Sequence, residues 1–132
     1  GYTSWSYAGP VRIDGSTNII GVRIVGQWAR YESAQSILSN GTATAETVVD
    51  ASSQVPPNAT EFDIYYRHGT GASAWYLGIT STLNYLVENP LLDRDGGTAI
   101  FPNISSRLYY TQTGAARVDL YVIGYRAPNN GG

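Results

Sequence analysis

The residues that could do chemistry are few. His68 is the only histidine, and it lies in His68-Gly69-Thr70-Gly71, the composition of a hairpin turn. A Ser–His–Asp hydrolase needs that base beside a positioned serine. No Gly-x-Ser-x-Gly elbow accompanies it, and Gly71-Ala72-Ser73-Ala74 lacks the second glycine. Glu61 and Asp63 stand two apart and share one face of a strand with Tyr65 and Arg67. Paired carboxylates could cleave a glycosidic bond or hold a sugar, but the same row reads as a solvated face whose acids Arg67 offsets. Asp93-Arg94-Asp95-Gly96-Gly97 resembles the start of a calcium loop, lacks the closing Glu, and reads first as a turn. No phosphate-binding glycine motif occurs, and cysteine is absent, which removes disulfides, thiolate nucleophiles and zinc–thiolate sites together. The chain is therefore expected to be no enzyme and to need no metal or cofactor. Asn40-Gly41-Thr42, Asn58-Ala59-Thr60 and Asn103-Ile104-Ser105 fit the glycosylation acceptor pattern, which a chain rich in Asn, Ser and Thr matches by chance.

What the chain does have is aromatic surface. It carries 11 Tyr and 3 Trp in 132 residues, more than a small domain buries in one core. Tyr and Trp join apolar area to a polar handle, which suits interfaces and the stacking of sugar rings. All 8 basic residues are Arg, the side chain that makes planar forks and stacks on rings. They are scattered and the net charge is −2, so no basic patch for nucleic acid is present. Candidate ligand contacts are the exposed aromatics and polar loop residues Trp5, Tyr7, Tyr65, Arg67, Tyr109, Asp93 and Asp95.

The elements that must position these residues are strands. Ile20, Val22, Ile24 and Trp28 alternate with Arg23 and Gln27. Phe62, Ile64 and Tyr66 alternate with Glu61, Asp63, Tyr65 and Arg67. Similar runs follow at Trp75–Ile79, Leu83–Val87, Arg107–Tyr110 and Val118–Tyr125. Asp14-Gly15, Asn40-Gly41, Val55-Pro56-Pro57-Asn58, Gly69-Thr70-Gly71 and Gly96-Gly97 punctuate them. The pattern predicts an all-β chain, an antiparallel β-sandwich of jelly-roll type with at most one short helix. Residues 1–132 form one domain, with 1–10 and 127–132 as loose ends. Tyr31 to Ser39 is the helical alternative, on the spacing of Ala34, Ile37 and Leu38, and a short strand is expected around Thr44 to Val49. No apolar run is long enough for a membrane-spanning helix. The missing Met fits a fragment or processed chain.

The last run, RVDLYVIGYR, has two apolar faces. Val118, Leu120 and Val122 lie on one, and Asp119, Tyr121, Ile123 and Tyr125 lie on the other. The doubled pattern recurs between Ile19 and Trp28. Exposure of both would be costly, which points to a subunit interface through Arg23, Val25, Tyr121, Ile123 and Tyr125.

The segment Val55-Pro56-Pro57-Asn58-Ala59-Thr60 followed by an alternating strand, together with the closing Val122-Ile123-Gly124-Tyr125, resembles the tip domains of bacteriophage tail fibres and receptor-binding proteins. The resemblance covers Val55 to Arg126. It implies a trimeric β-sandwich tip on the virion, or in an extracellular setting, that attaches to a cell-surface glycan or protein, with no nucleic acid and no membrane insertion. It carries no binding residues across. The alternative is a structural virion domain, for capsid decoration or fibre assembly, without a ligand of its own.

Overall fold

A computed structural model describes residues 20–68, 75–80, 85–89, 96–113 and 117–128. Trp5, Tyr7, Asp93 and Asp95 lie outside the described residues. Nine strands run through the rest: β1 (Val22–Val25), β2 (Trp28–Gly41), β3 (Thr47–Asp50), β4 (Glu61–His68), β5 (Trp75–Gly78), β6 (Tyr85–Asn89), β7 (Gly96–Pro102), β8 (Arg107–Gln112) and β9 (Val118–Arg126). They form two antiparallel sheets, in the orders β1-β2-β9-β4-β7 and β3-β8-β5-β6. The pairs β2–β9, β3–β8, β4–β7 and β5–β6 nest inside one another and alternate between the sheets. That nesting is the winding of a jelly roll, with β1 added at one edge.

The core lies between the sheets. Phe62 and Ile64 of β4, Phe101 of β7 and Val118, Leu120 and Val122 of β9 meet Val49, Trp75, Leu77, Leu108 and Tyr110 of the second sheet. Each large side chain so buried is worth about 1.5–3 kcal/mol. Tyr66 and Trp75 touch across the gap with ring centroids 5.0 Å apart.

Two expectations change here, both because bulges disturb the period of two. Tyr31 to Ser39 is strand, not helix. Val25 and Trp28 close a two-residue hairpin in which Gly26 takes a φ of 62°, the conformation a glycine adopts without steric cost. β2 then runs on along β9, but the five steps from Arg30 to Gln35 match only two steps, Gly124 to Val122, on β9, and further shifts follow before Leu38 and Gly41. Extra residues at these points let Ala34, Ile37 and Leu38 mimic helical spacing.

The second change is in β9. Asp63 of β4 pairs with Gly124 and its neighbour Ile64 pairs with Val122, so Ile123 is an extra residue. The bulge resets the alternation. Val118, Leu120 and Val122 face inward as expected, but after Ile123 it is Tyr125 that turns in. Tyr125 is 2% exposed and meets the edge of Tyr31 at 5.9 Å, so it is a core residue and no part of a subunit interface.

The Val55–Thr60 segment is a tight loop. Ala59 N–H donates to Pro56 O at 3.0 Å. Asn103 staples the loop from outside, donating its amide to Ala59 O at 2.8 Å and accepting Ser106 N–H at 2.8 Å. That use of the side chain removes Asn103 as a free acceptor for glycosylation. Ser105 and Ser106, with φ of 57° and 51°, form the two-residue turn between Ile104 and Arg107. Two consecutive left-handed serines are costly, and the Ser106 Oγ bond to Val55 O and the Ala51 N–H bond to Ser106 O hold them there.

Candidate functional site

The two sheets present two outer faces, and the chemistry-bearing residues divide between them. On the five-stranded sheet, Trp28, Arg126 and Glu61 stand in one cross-strand row, and Arg23, Arg30, Gly124 and Asp63 in the next. Arg30 lies over the Trp28 ring at 4.5 Å and reaches across β9 to Asp63 Oδ2 at 2.5 Å. Gly124 makes this possible, because a Cβ there would sit 2.8 Å from Ala29 O and 2.9 Å from Arg30 Cδ. Arg126 donates to Glu61 Oε1 at 2.8 Å and to Gln27 Oε1 at 3.0 Å. The two carboxylates that could have formed an acid pair are thus each taken up by an arginine, and their partners are Arg126 and Arg30 rather than Arg67. Asp63 is 6% exposed, and its Oδ1 has no hydrogen-bond partner.

Further along the same face, Tyr65 and Tyr121 are cross-strand neighbours with centroids 5.9 Å apart, and Arg67 sits opposite Asp119. Val25 is 59% exposed and Ile100 46% exposed. Four of the five residues expected at an interface, Arg23, Val25, Tyr121 and Ile123, therefore share this face. Tyr65 and Arg67, expected as ligand contacts, belong to it as well.

Tyr109 does not. It lies on β8, opposite Val48 on one side and Gly78 on the other, on the outer face of the four-stranded sheet. Two residues along, Asp50 faces Arg107. Val48, Asp50, Ser52, Ser105 and Arg107 line a concavity of about 370 Å³, and Val48, the cross-strand partner of Tyr109, is 48% exposed. A second concavity of about 310 Å³ adjoins it through Ser52 and Ser105, and is completed by Val55, Pro57, Asn103 and Ser106. Hydrogen bonds from the Ser52 hydroxyl and backbone N–H hold the Asp50 carboxyl below its ordinary value, with the Arg107 charge helping, against slight desolvation.

Of this cluster the sequence reading picked out Tyr109 alone. Asp50, Ser52, Ser105 and Arg107 come from two separate stretches and carry no motif. The nearest signal was the pair of adjacent polar turns, Asp50-Ala51-Ser52-Ser53 and Asn103-Ile104-Ser105-Ser106, which the nested winding brings side by side. Among the described residues no three His, Cys, Asp or Glu side chains gather where a metal could be held, and no helix is long and apolar enough to cross a membrane.

No family model, curated protein or solved structure matches the chain. The reading of its function rests on the two faces.

Proposed function

We propose that this chain is a non-catalytic recognition domain, engaging a cell-surface saccharide or protein through the outer face of its four-stranded sheet. The observation that carries the reading is the concavity where Val48, Asp50, Ser52, Ser105 and Arg107 surround open space, with Tyr109 the cross-strand partner of Val48 at its border. A ring platform with a carboxylate, a guanidinium and hydroxyls at its edge is the equipment for stacking a sugar and fixing its hydroxyl groups. Jelly rolls serve among capsid and lectin domains, an analogy of fold that assigns no residue a role. The resemblance of the Val55–Thr60 turn and the closing strand to phage fibre tips fits a setting on the virion or outside the cell, and assembly as a homotrimer.

Adsorption of the isolated domain to host cells or to a glycan array tests this. Tyr109→Ala should abolish specific adsorption while the oligomeric mass stays unchanged. Retention of full binding by that variant would move the site elsewhere.

A second reading, a structural virion domain that binds only its own copies, is favoured by the other face. Val25 and Ile100, exposed at opposite edges of this sheet, and the Tyr65–Tyr121 pair beside Ile123 leave apolar area on it, with the Arg30–Asp63 and Arg126–Glu61 pairs between the two edges. In the recognition reading that face is the self-association surface. Its measure is the mass in solution of the intact chain and of Tyr121→Glu. A monomer at every concentration would remove self-association from both readings, and no binding to any surface would leave only the structural one.

A further inference from the structure

The two adjoining concavities differ in their lining: Asp50 and Arg107 border the first, and no charged side chain borders the second. Asp50 and Arg107 are direct cross-strand partners, a placement that puts Cβ atoms about 4.5–5.5 Å apart and normally lets such side chains pair. They make no contact within 4.0 Å; among the described residues the ion pairs at that distance are Arg30–Asp63 and Arg126–Glu61. The Asp50 carboxylate is turned instead onto the chain that follows it, accepting Ser52 N–H at 2.8 Å. The Arg107 guanidinium keeps its donors for the space it lines.

The second concavity offers nothing charged. Asn103 is spent on Ala59 and Ser106, and the Ser106 hydroxyl on Val55 O. What remains there is the Pro57 ring, the Ser105 hydroxyl and the acceptor side of the Ser52 hydroxyl, whose proton goes to Asp50; Ser52 and Ser105 are the two residues common to both concavities.

We propose that this groove takes an acidic glycan chain, with the carboxylate of one sugar on Arg107 and an uncharged neighbouring sugar over Pro57, beside Ser52 and Ser105. This rests on the reading of the four-stranded face as a saccharide site and specifies its ligand. A guanidinium meets a carboxylate through two parallel charge-assisted bonds, whereas it meets a sugar hydroxyl through one neutral acceptor. The residues are exposed, so the contact is screened by salt and contributes selectivity rather than high affinity.

The test compares two chains of equal length by titration calorimetry and amide chemical shifts on the intact domain. One is a hyaluronan tetrasaccharide, which alternates glucuronate and N-acetylglucosamine. The other is chitotetraose, which has the second sugar throughout and no carboxylate. The expected result is roughly tenfold tighter binding of the acidic chain at low salt, with shifts at Ser52, Ser105 and Arg107. Arg107→Gln should erase the preference, weakening the acidic chain roughly tenfold and chitotetraose by a smaller factor, and Arg107→Lys should keep part of the preference. A thermal melt of each variant guards against loss of fold.

Equal binding of the two chains, unmoved by Arg107→Gln, would overturn the acidic ligand while leaving saccharide recognition standing. Binding of neither would overturn both. Acidic-chain shifts confined to Arg23, Arg67 and Tyr121 would overturn the groove as its seat.

Discussion

The two outer faces of this sandwich use the same side-chain types to opposite ends. On the five-stranded sheet the acids and arginines consume one another: Arg30 with Asp63 over Gly124, and Arg126 with Glu61 and Gln27. On the four-stranded sheet Asp50 and Arg107 are direct cross-strand partners, nearer in register than Arg30 and Asp63, which have β9 between them, yet Asp50 caps Ser52 and the pair stays open. The difference lies in what flanks each acid. Asp63 sits mid-strand, where its backbone is committed to β7 and β9 and only a side chain can satisfy it. Asp50 ends its strand, where a free backbone N–H two residues on competes for the carboxylate. A charge pair closed in mid-sheet is structural; one left open at a strand end is available to a ligand.

The largest test of this contrast is loss of an arginine from each face. Arg30→Ala leaves a nearly buried carboxylate without its cation and should cost about 2–3 kcal/mol in denaturant unfolding. Arg107→Ala should stay within about 0.5 kcal/mol of the parent, as exposed substitutions do. Similar costs at the two sites would end the distinction between faces. Next comes Gly124→Ala, which should cost about 1–2 kcal/mol, because the added methyl meets Ala29 O and the Arg30 stem. In an Arg30→Ala background part of that cost should vanish, and strict additivity would show that Arg30 does not need the glycine.

The serine turn that borders the groove gives a smaller effect with a sign. Ser105→Gly relieves a left-handed residue whose hydroxyl has no partner, and should stabilise by about 0.5 kcal/mol. Ser106→Gly relieves the same strain but gives up the bond to Val55 O, so it should be neutral or destabilising. Equal melting shifts for the two variants would contradict the bonding described for the turn.

The smallest effect is in pH. The Asp50 carboxyl is lowered from its ordinary 3.8 by the Ser52 hydroxyl first and the Ser52 N–H second. A lowered folded-state pKa stabilises the fold above the unfolded value, and this is lost as pH falls through the folded value. Ser52→Ala should therefore raise the Asp50 midpoint, read from its side-chain carbon shift, only part of the way to 3.8. Its slight destabilisation should be present at neutral pH and absent in strong acid. No movement of the midpoint would mean that Asp50 is turned toward Arg107 after all.

Alternating residues and turn dipeptides were enough to read an all-β sandwich, because a strand's period is local and survives any tertiary context. They also put Phe62 with Ile64 and Val118 with Leu120 and Val122 on common strand faces, which turn out to be core faces, and gave Arg23, Val25, Tyr121 and Ile123 to one interface, where they share an outer face. The helical alternative for Tyr31 to Ser39 and the outward placing of Tyr125 failed for one shared reason. A bulge inserts a residue whose presence shows only against the partner strand, so one strand's own pattern cannot reveal where the alternation resets.

The candidate groove was still less legible. Asp50 and Ser52 are fifty residues and more from Ser105 and Arg107 in sequence, and their types are those of ordinary turns. The period of the sequence determined that this chain makes strands, most with one apolar face and the last with two. Only the tertiary structure decided which charges neutralise each other and which are left open, because that depends on cross-strand register and on which backbone N–H lies within reach of each acid.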